Sequence, residues 1–343
     1  VIKDSQEYAL SFGGELTDET LQQIVSDYQQ MEADGMEEEL EKTDWQIVNS
    51  WLGTLYPELR DTSNYKTMIS YVDPDKLTGF YERRQQVLDE FLEISGQVGA
   101  EKEFLHQMER KVEKPFHYEW VEGWSTLLGS MVADLGVVMA LFLGIVLSSL
   151  FAGEWHDNTS TLVLTTRNGW GKIALAKILT GFAFTVELFA LLAVSSIISQ
   201  LFFMGTAGWD MPIQNIKLIA VAPMNMLQAE IYEYAFVLLG AIGFAGIVMF
   251  ISAAVKNNVL TLLLSLAVVY GPMMIAEYLP YEMQKALDLI PLVGSSTDIF
   301  RTNTFRIFGK LIWSPYLLIT IPVLIGILCM PFAIKSWSRR MKA

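Results

Sequence analysis

The chain has 343 residues, 52% of them hydrophobic and 18% charged, and its 38 acidic against 24 basic side chains leave a net charge of −14. Residues 1–123 hold 27 acids and 11 bases, net −16, and residues 124–343 hold 11 acids and 13 bases, net +2. The acidity of the first part argues against nucleic acid or anionic lipid as its direct ligand. The single cysteine, Cys329, excludes an intrachain disulfide and a cysteine-based zinc site.

In chain order, Thr17-Asp18-Glu19-Thr20 opens a helix with apolar positions at Leu21, Ile24, Val25, Tyr28 and Met31. Thr17 is the predicted N-cap, with Leu16 and Leu21 as a hydrophobic staple. Trp45, Val48 and Leu52 mark a second helix ending near Pro57, and Asp73-Pro74 marks a turn. Phe80, Val87, Leu88, Phe91 and Ile94 line a longer helix, Gly96 and Gly99 interrupt it, and Phe104, Leu105, Met108 and Val112 line the return. That is an αα-hairpin, stopped by Pro115. Phe116, Tyr118, Trp120 and Trp124 then read as an aromatic girdle at a membrane surface. No strand alternation stands out.

Five apolar stretches follow, at about 124–151, 173–204, 231–255, 259–279 and 312–334. A span of about 20 apolar residues crosses a hydrocarbon core of about 30 Å, and each stretch qualifies. The expected fold is an all-α integral membrane protein. It is a polytopic helical bundle over 124–343 with an N-terminal α-helical extracytoplasmic domain over 1–123. Asp134 and Glu187 lie inside spans, where an ionised group costs about 2.5–3.5 kcal/mol, so each should face protein or water. They are the candidate residues of a translocation path, or else carboxylates hydrogen-bonded to a neighbouring helix. Glu230, Glu233 and Glu277 sit near span ends, where solvation is expected. Gly136, Ala140 and Gly144, and Gly240, Ala241, Gly243, Ala245 and Gly246, form small-residue faces for close helix packing. Pro272, Pro322 and Pro331 predict kinks or breaks, and Asp298–Trp313 reads as a short interfacial helix.

Lys335, Arg339, Arg340 and Lys342 follow the last span directly and assign the C-terminus to the cytoplasm. Counting back, residues 152–172 and Lys256-Asn257-Asn258 also lie inside, while 1–123, 205–230 and 280–311 lie outside. Lys285, Arg301, Arg306 and Lys310 on the outer side run against that bias. The chain begins Val1-Ile2-Lys3 with no signal-peptide pattern. An outer N-terminal module therefore leads to the expectation of a preceding helix and six native spans.

There is no G-x-x-x-x-G-K-[ST] loop, H-E-x-x-H motif or G-x-S-x-G elbow, and the three histidines lie apart in sequence. Residues 151–177 carry the most informative pattern. A span ends at Gly153-Glu154, a small-residue turn follows at Asn158-Thr159, then an apolar run with Leu162 and Leu164. A basic glycine turn runs from Arg167 to Lys172, and the next span restarts at Ala176-Lys177. This loop resembles the first cytoplasmic loop of type-2 ATP-binding-cassette (ABC) exporter permeases. Asn158-Thr159 and Thr165-Thr166 depart from that family's usual Gly-Thr turn and Pro or Ser step.

The resemblance covers about residues 124–343. It implies a permease subunit whose loop rests in a cleft of a separate cytoplasmic ABC ATPase subunit. Gly153, Glu154, Asn158, Thr159, Leu162, Leu164, Arg167 and Lys172 would be the coupling residues, with Leu162 and Leu164 as an apolar plug and Glu154 and Arg167 as polar rim. It further implies a second permease chain, homo- or heterodimeric, in the lipid of the plasma membrane. This chain would bind no cofactor of its own, ATP and Mg belonging to the partner ATPase, and would have no catalytic role. An amphipathic, peptide or lipid-like substrate would move outward. The alternatives are an ABC-linked mechanotransmission or signalling protein that moves its outer domain without transport, and a receptor or scaffold without an ATPase.

Overall fold

The structure is a computed structural model that describes residues 13–36, 45–61, 63–64, 66–119, 122–157, 159–166, 171–255, 257–294, 300 and 303–339. The chain is mostly helical. Among the described residues five helices are long and apolar enough to cross a membrane. The chain divides into two compact units, one made of residues 1–128, 199–230 and 300–311, the other of 129–198, 231–299 and 312–343.

In the first unit, strand β1 (Gly14–Leu16) pairs antiparallel with β2 (Phe116–Tyr118), with Glu15 opposite His117. Helix α1 (Asp18–Ala33) begins as its sequence predicts: Thr17 Oγ1 accepts from Thr20 N at 3.2 Å, and Leu16 and Leu21 are both fully buried. Helix α2 (Trp45–Leu55) buries Trp45, Val48, Trp51 and Leu52. Helices α3 (Phe80–Ile94) and α4 (Ala100–Glu109) form the expected hairpin, and the turn between them uses Gly96 and Gly99 at φ 71° and 61°.

Phe116 and Tyr118 are not a membrane girdle. Alternation along β2 turns both inward, to 1% and 7% exposure, and they join an aromatic core. Trp51 meets Phe80 and Tyr118 edge-on at 6.0 and 5.4 Å, and Tyr81 meets Phe116 at 5.2 Å. Trp124 is buried and donates to Thr206 O at 3.3 Å, and Trp120 lies outside the described residues.

The segment between the second and third long helices is built into this core. Trp51 Nε1 donates to Asn215 O at 2.8 Å, and Asn215 Nδ2 donates to His117 O at 2.7 Å. Arg84, fully buried, forms a two-pronged pair with Glu109, and its Nε and Nη2 also donate to Leu218 O (2.6 Å) and Ala220 O (3.2 Å). Its guanidinium lies 5.2 Å from the Phe116 ring centroid. Such a pair survives burial because every charge is hydrogen-bonded.

Instead of an interfacial helix, residues 304–313 form a hairpin of β3 (Thr304–Ile307) and β4 (Lys310–Trp313). The cause is local. Phe308 and Gly309 both take positive φ, 49° and 78°, which makes a two-residue turn matched to strand twist. Thr304 Oγ1 bonds Gln97 Oε1 at 2.7 Å and Arg306 pairs with Glu101 at 2.5 Å, tying β3 to the α3–α4 turn.

The second unit holds most of the long helices: α5 (Val132–His156), preceded by a π-helical turn at Leu127–Met131, then α7 (Lys172–Met204), α8 (Met226–Ala254), α9 (Asn258–Ile275) and α11 (Ser314–Arg339). Between them lie the short helices α6 (Ser160–Thr165) and α10 (Tyr281–Leu287). Small residues let backbones meet. A methyl added at Gly144 would reach Leu262 and Leu266 of α9 at 3.3 Å, and one at Gly246 would reach Gly326 Cα of α11 at 2.6 Å. The helices are not broken at Pro272, Pro322 or Pro331, which lie inside α9 and α11. Buried neighbours satisfy freed backbone groups in such helices.

Leu175, Leu179, Val186, Leu191, Val194 and Ile198 on α7 are exposed, as lipid-facing side chains would be. Glu230 and Glu233 are not solvated as expected: they are 4% and 5% exposed, because their turn of α8 is covered. Glu277 is exposed.

Candidate functional site

The loop joining α5 to α7 starts where α5 runs out of apolar residues. Asp157 N donates to Gly153 O at 2.9 Å and Thr159 N to Glu154 O at 3.0 Å, closing the last turn. Gly153 is half-buried and Thr159 exposed. Six residues of α6 follow, and Leu162 stands on it with 70% of its surface exposed. The helix ends where Thr165 and Thr166 turn their hydroxyls back onto Leu162 O (2.9 Å) and Val163 O (2.7 Å). Leu164 lies on α6, and Lys172 opens α7 as an exposed residue. Asn158 and Arg167 lie outside the described residues.

The two roots of this loop are pinned together. Glu154 Oε1 accepts from Lys177 Nζ at 2.5 Å, with the side chains 21% and 17% exposed. Lys177 Nζ also donates to Leu150 O at 2.5 Å, a cation on the last turns of α5 where the helix dipole is negative. The same ammonium sits 5.2 Å from the Phe151 ring centroid and 5.5 Å from that of Trp337. Trp337, fully buried on α11, contacts Phe151 at 5.5 Å and Trp155 at 6.1 Å. Three helices therefore share one charged and aromatic node.

A second polar contact grips α5 just above. Ser252 of α8, fully buried, accepts from Phe151 N (3.0 Å) and Ala152 N (3.1 Å) and donates to Ser148 O (2.7 Å). The end of α5 is thus fixed by α7, α8 and α11, while α6 is left as a short apolar knob.

Of the predicted coupling residues, the structure brings together Glu154, Thr159 and, through the pin, the start of α7. Lys177, Phe151, Trp337 and Ser252 were not among the predicted site residues. Lys177 has a visible signal, since a lysine one turn inside a span calls for a partner. Ser252 has none, because a serine among small residues reads as packing.

Asp134 and Glu187 are both exposed, and no hydrogen bond or ion pair joins them. Glu187 stands about 22 Å along α7 from Lys172 at 1.5 Å per residue, which is mid-depth for a helix of 33 residues. Among the described residues no group of three His, Cys, Asp or Glu side chains is placed to hold a metal ion.

No family model matches the chain, and no curated protein or solved structure matches it.

Proposed function

We propose that this chain is the transmembrane permease subunit of an ABC exporter. It works with separate cytoplasmic ATPase subunits and a second permease chain, and moves an amphipathic, peptide or lipid-like substrate outward by alternating access. The observation that carries this reading is the α5–α7 loop: an exposed Leu162 on a six-residue helix, between helix ends locked by Glu154 and Lys177. An element that receives force from a partner needs an apolar knob to seat in a groove and a stiff root to pass the displacement on. A loop without the pin would absorb the motion.

Topology supports it. Residues 13–119, 206–225 and 303–311 belong to one compact unit, which fits a topology with all three on one side of the membrane. The α5–α7 loop, residues 255–257 and the C-terminal tail then fall on the other side. The basic tail assigns that side to the cytoplasm. Asp134 and Glu187, turned away from their own chain, are the groups a second permease chain would cover and a polar path would use.

One observation favours a second reading, mechanotransmission without transport. The first unit is continuous in sequence with α5, α7, α8 and α11, so span movement reaches it directly. Mild-detergent purification of the intact protein from its native membrane, followed by reconstitution in vesicles, tests both. An ATP-hydrolysing subunit should co-purify and drive substrate into the vesicle lumen or out of it. ATP turnover with no movement across a broad panel selects the second reading. If no such subunit co-purifies, and a cysteine placed by Thr166→Cys reacts with an impermeant label from outside sealed cells, both readings fall.

A further inference from the structure

The first unit contains a groove of about 650 Å³ that the exporter reading does not use. One wall is the solvent side of α2, where Asn49, Ser50, Gly53 and Thr54 recur at helical spacing opposite the buried Trp51 and Leu52. Three of these four side chains are small, which is why the space exists. The other wall comes from Arg60, Asp61, Asn64 and Tyr71, with Met68 buried beneath it.

The hydrogen-bond inventory of this groove is one-sided. Asp61 Oδ1 accepts from Ser63 N (2.9 Å) and Ser63 Oγ (2.6 Å), and these bonds, the side-chain one first, hold its carboxyl below the usual range. Asn64 Oδ1 accepts from Lys66 N at 3.0 Å, Asn49 Oδ1 from Ile69 N at 3.3 Å, and the Tyr71 hydroxyl oxygen from Asp61 N at 3.0 Å. The oxygens of Asn49, Asn64 and Tyr71 are thus engaged by the groove's own backbone, while Asp61, bonded through Oδ1 to Ser63, stays ionised at the edge. Donors left available around it are the Arg60 guanidinium, the amide nitrogens of Asn49 and Asn64, and the hydroxyls of Ser50, Thr54 and Tyr71. Lys66, held by Glu32 at 2.8 Å, adds a second positive charge at the rim. In a module whose net charge is −16, this is a concave, donor-rich patch around an arginine fork, with the Asp61 carboxylate at its edge.

We propose that this groove is a binding site for a small acidic ligand, one that presents carboxylate or phosphate oxygens to Arg60 and the surrounding amides and hydroxyls. Its volume lies within the range of about 300–1,000 Å³ usual for small-molecule sites. The site stands independently of the exporter reading.

Calorimetric titration of the intact detergent-solubilised protein tests it, with triglutamate and inorganic phosphate as separate probes and trialanine as the neutral control. Saturable binding of either acidic probe is expected, and which one binds identifies the carboxylate or the phosphate chemistry. Arg60→Gln should weaken binding at least about tenfold, the worth of a charged hydrogen bond. Gly53→Phe should block it, and a Cβ added there meets nothing within 4 Å. Both variants should melt with the parent. Absence of binding by both acidic probes, equal binding of trialanine, or unchanged affinity in both variants would overturn the proposal.

Discussion

Lys177 Nζ lies 2.5 Å from Glu154 Oε1 although 22 residues of sequence separate the two, and it faces the Phe151 and Trp337 rings at the same time. Removing one partner strands the other in a site that is four-fifths buried. Lys177→Met should cost about 1–3 kcal/mol, read as a lower melting temperature of the intact protein in detergent. The double variant Lys177→Met with Glu154→Gln should lose less than the sum of the singles. Strict additivity would show that the two groups are not coupled.

Leu162 tests coupling apart from stability. It is 70% exposed, so Leu162→Asp should leave unfolding within about 0.5 kcal/mol of the parent. If the exporter proposal holds, the same variant should lower retention of the proposed ATPase subunit at least about tenfold, since it would put a charge where that proposal needs an apolar contact. Equal retention by parent and variant would remove Leu162 from the contact.

Arg84 and Glu109 form an ion pair buried in the first unit, their side chains 0% and 3% exposed. Glu109→Gln leaves a fully buried guanidinium with only carbonyl partners and should cost about 3–5 kcal/mol. Arg84→Met combined with Glu109→Leu should recover much of that loss, because an apolar pair removes the desolvation cost with the charges. Denaturant unfolding of the intact protein measures both.

Tyr81 links β1 to β2: its hydroxyl donates to Leu16 O at 2.8 Å and accepts from Phe116 N at 2.6 Å. Burial pushes its pKa up to about 12, against the pull of the Phe116 N–H and Arg84. A raised folded pKa means that the stabilisation is complete below the unfolded value of about 10 and is lost as pH rises through about 12. Tyr81→Phe should cost about 1–3 kcal/mol at neutral pH. The gap between parent and variant should narrow as pH climbs from about 10, followed by unfolding and by absorbance titration of the phenols. A gap that is constant with pH would mean that Tyr81 ionises alike in both states.

Asp89 gives the acid-side counterpart. Burial opposes its carboxylate, but Lys102 at 2.9 Å, with Gln85 and His106, outweighs that and holds its pKa below the usual value. A depressed folded pKa places its contribution above pH about 4, and it is lost as pH falls through the folded pKa. The cluster is about one-third exposed, so the effect should stay under about 1 kcal/mol. Asp89→Asn should therefore remove a small stability difference between neutral and acid pH. An unchanged profile would show that the cluster contributes nothing.

Hydropathy made the five long helices legible, and side-chain chemistry made the Thr17 cap and the α3–α4 hairpin legible, because each rests on contacts within a few residues. The girdle read at Phe116 and Tyr118 failed for the opposite reason. An aromatic pair beside a span looks the same whether it meets lipid headgroups or a strand partner 100 residues upstream. The helix expected at 298–313 is replaced by a hairpin over 304–313, because a positive φ at Phe308 is invisible in a sequence that shows only an aromatic-basic stretch; residues 298, 299, 301 and 302 lie outside the described residues. Glu154 was readable from the end of its span. Its partnership with Lys177 depended on two helices returning to the same depth, which spacing alone does not specify.

The core around Trp51 and Arg84 draws on residues 214–220, and the hairpin braces it with residues 304 and 306. Those stretches leave the ribosome only after several long helices have been made. During synthesis the first 119 residues lack the later partners of the Trp51 indole and two of the carbonyls that Arg84 bonds, although Arg84 can already pair with Glu109. A fragment cut after residue 123 would lack them indefinitely. The interior of the first unit is therefore completed by chain made after the first long helices, and its folding is tied to theirs.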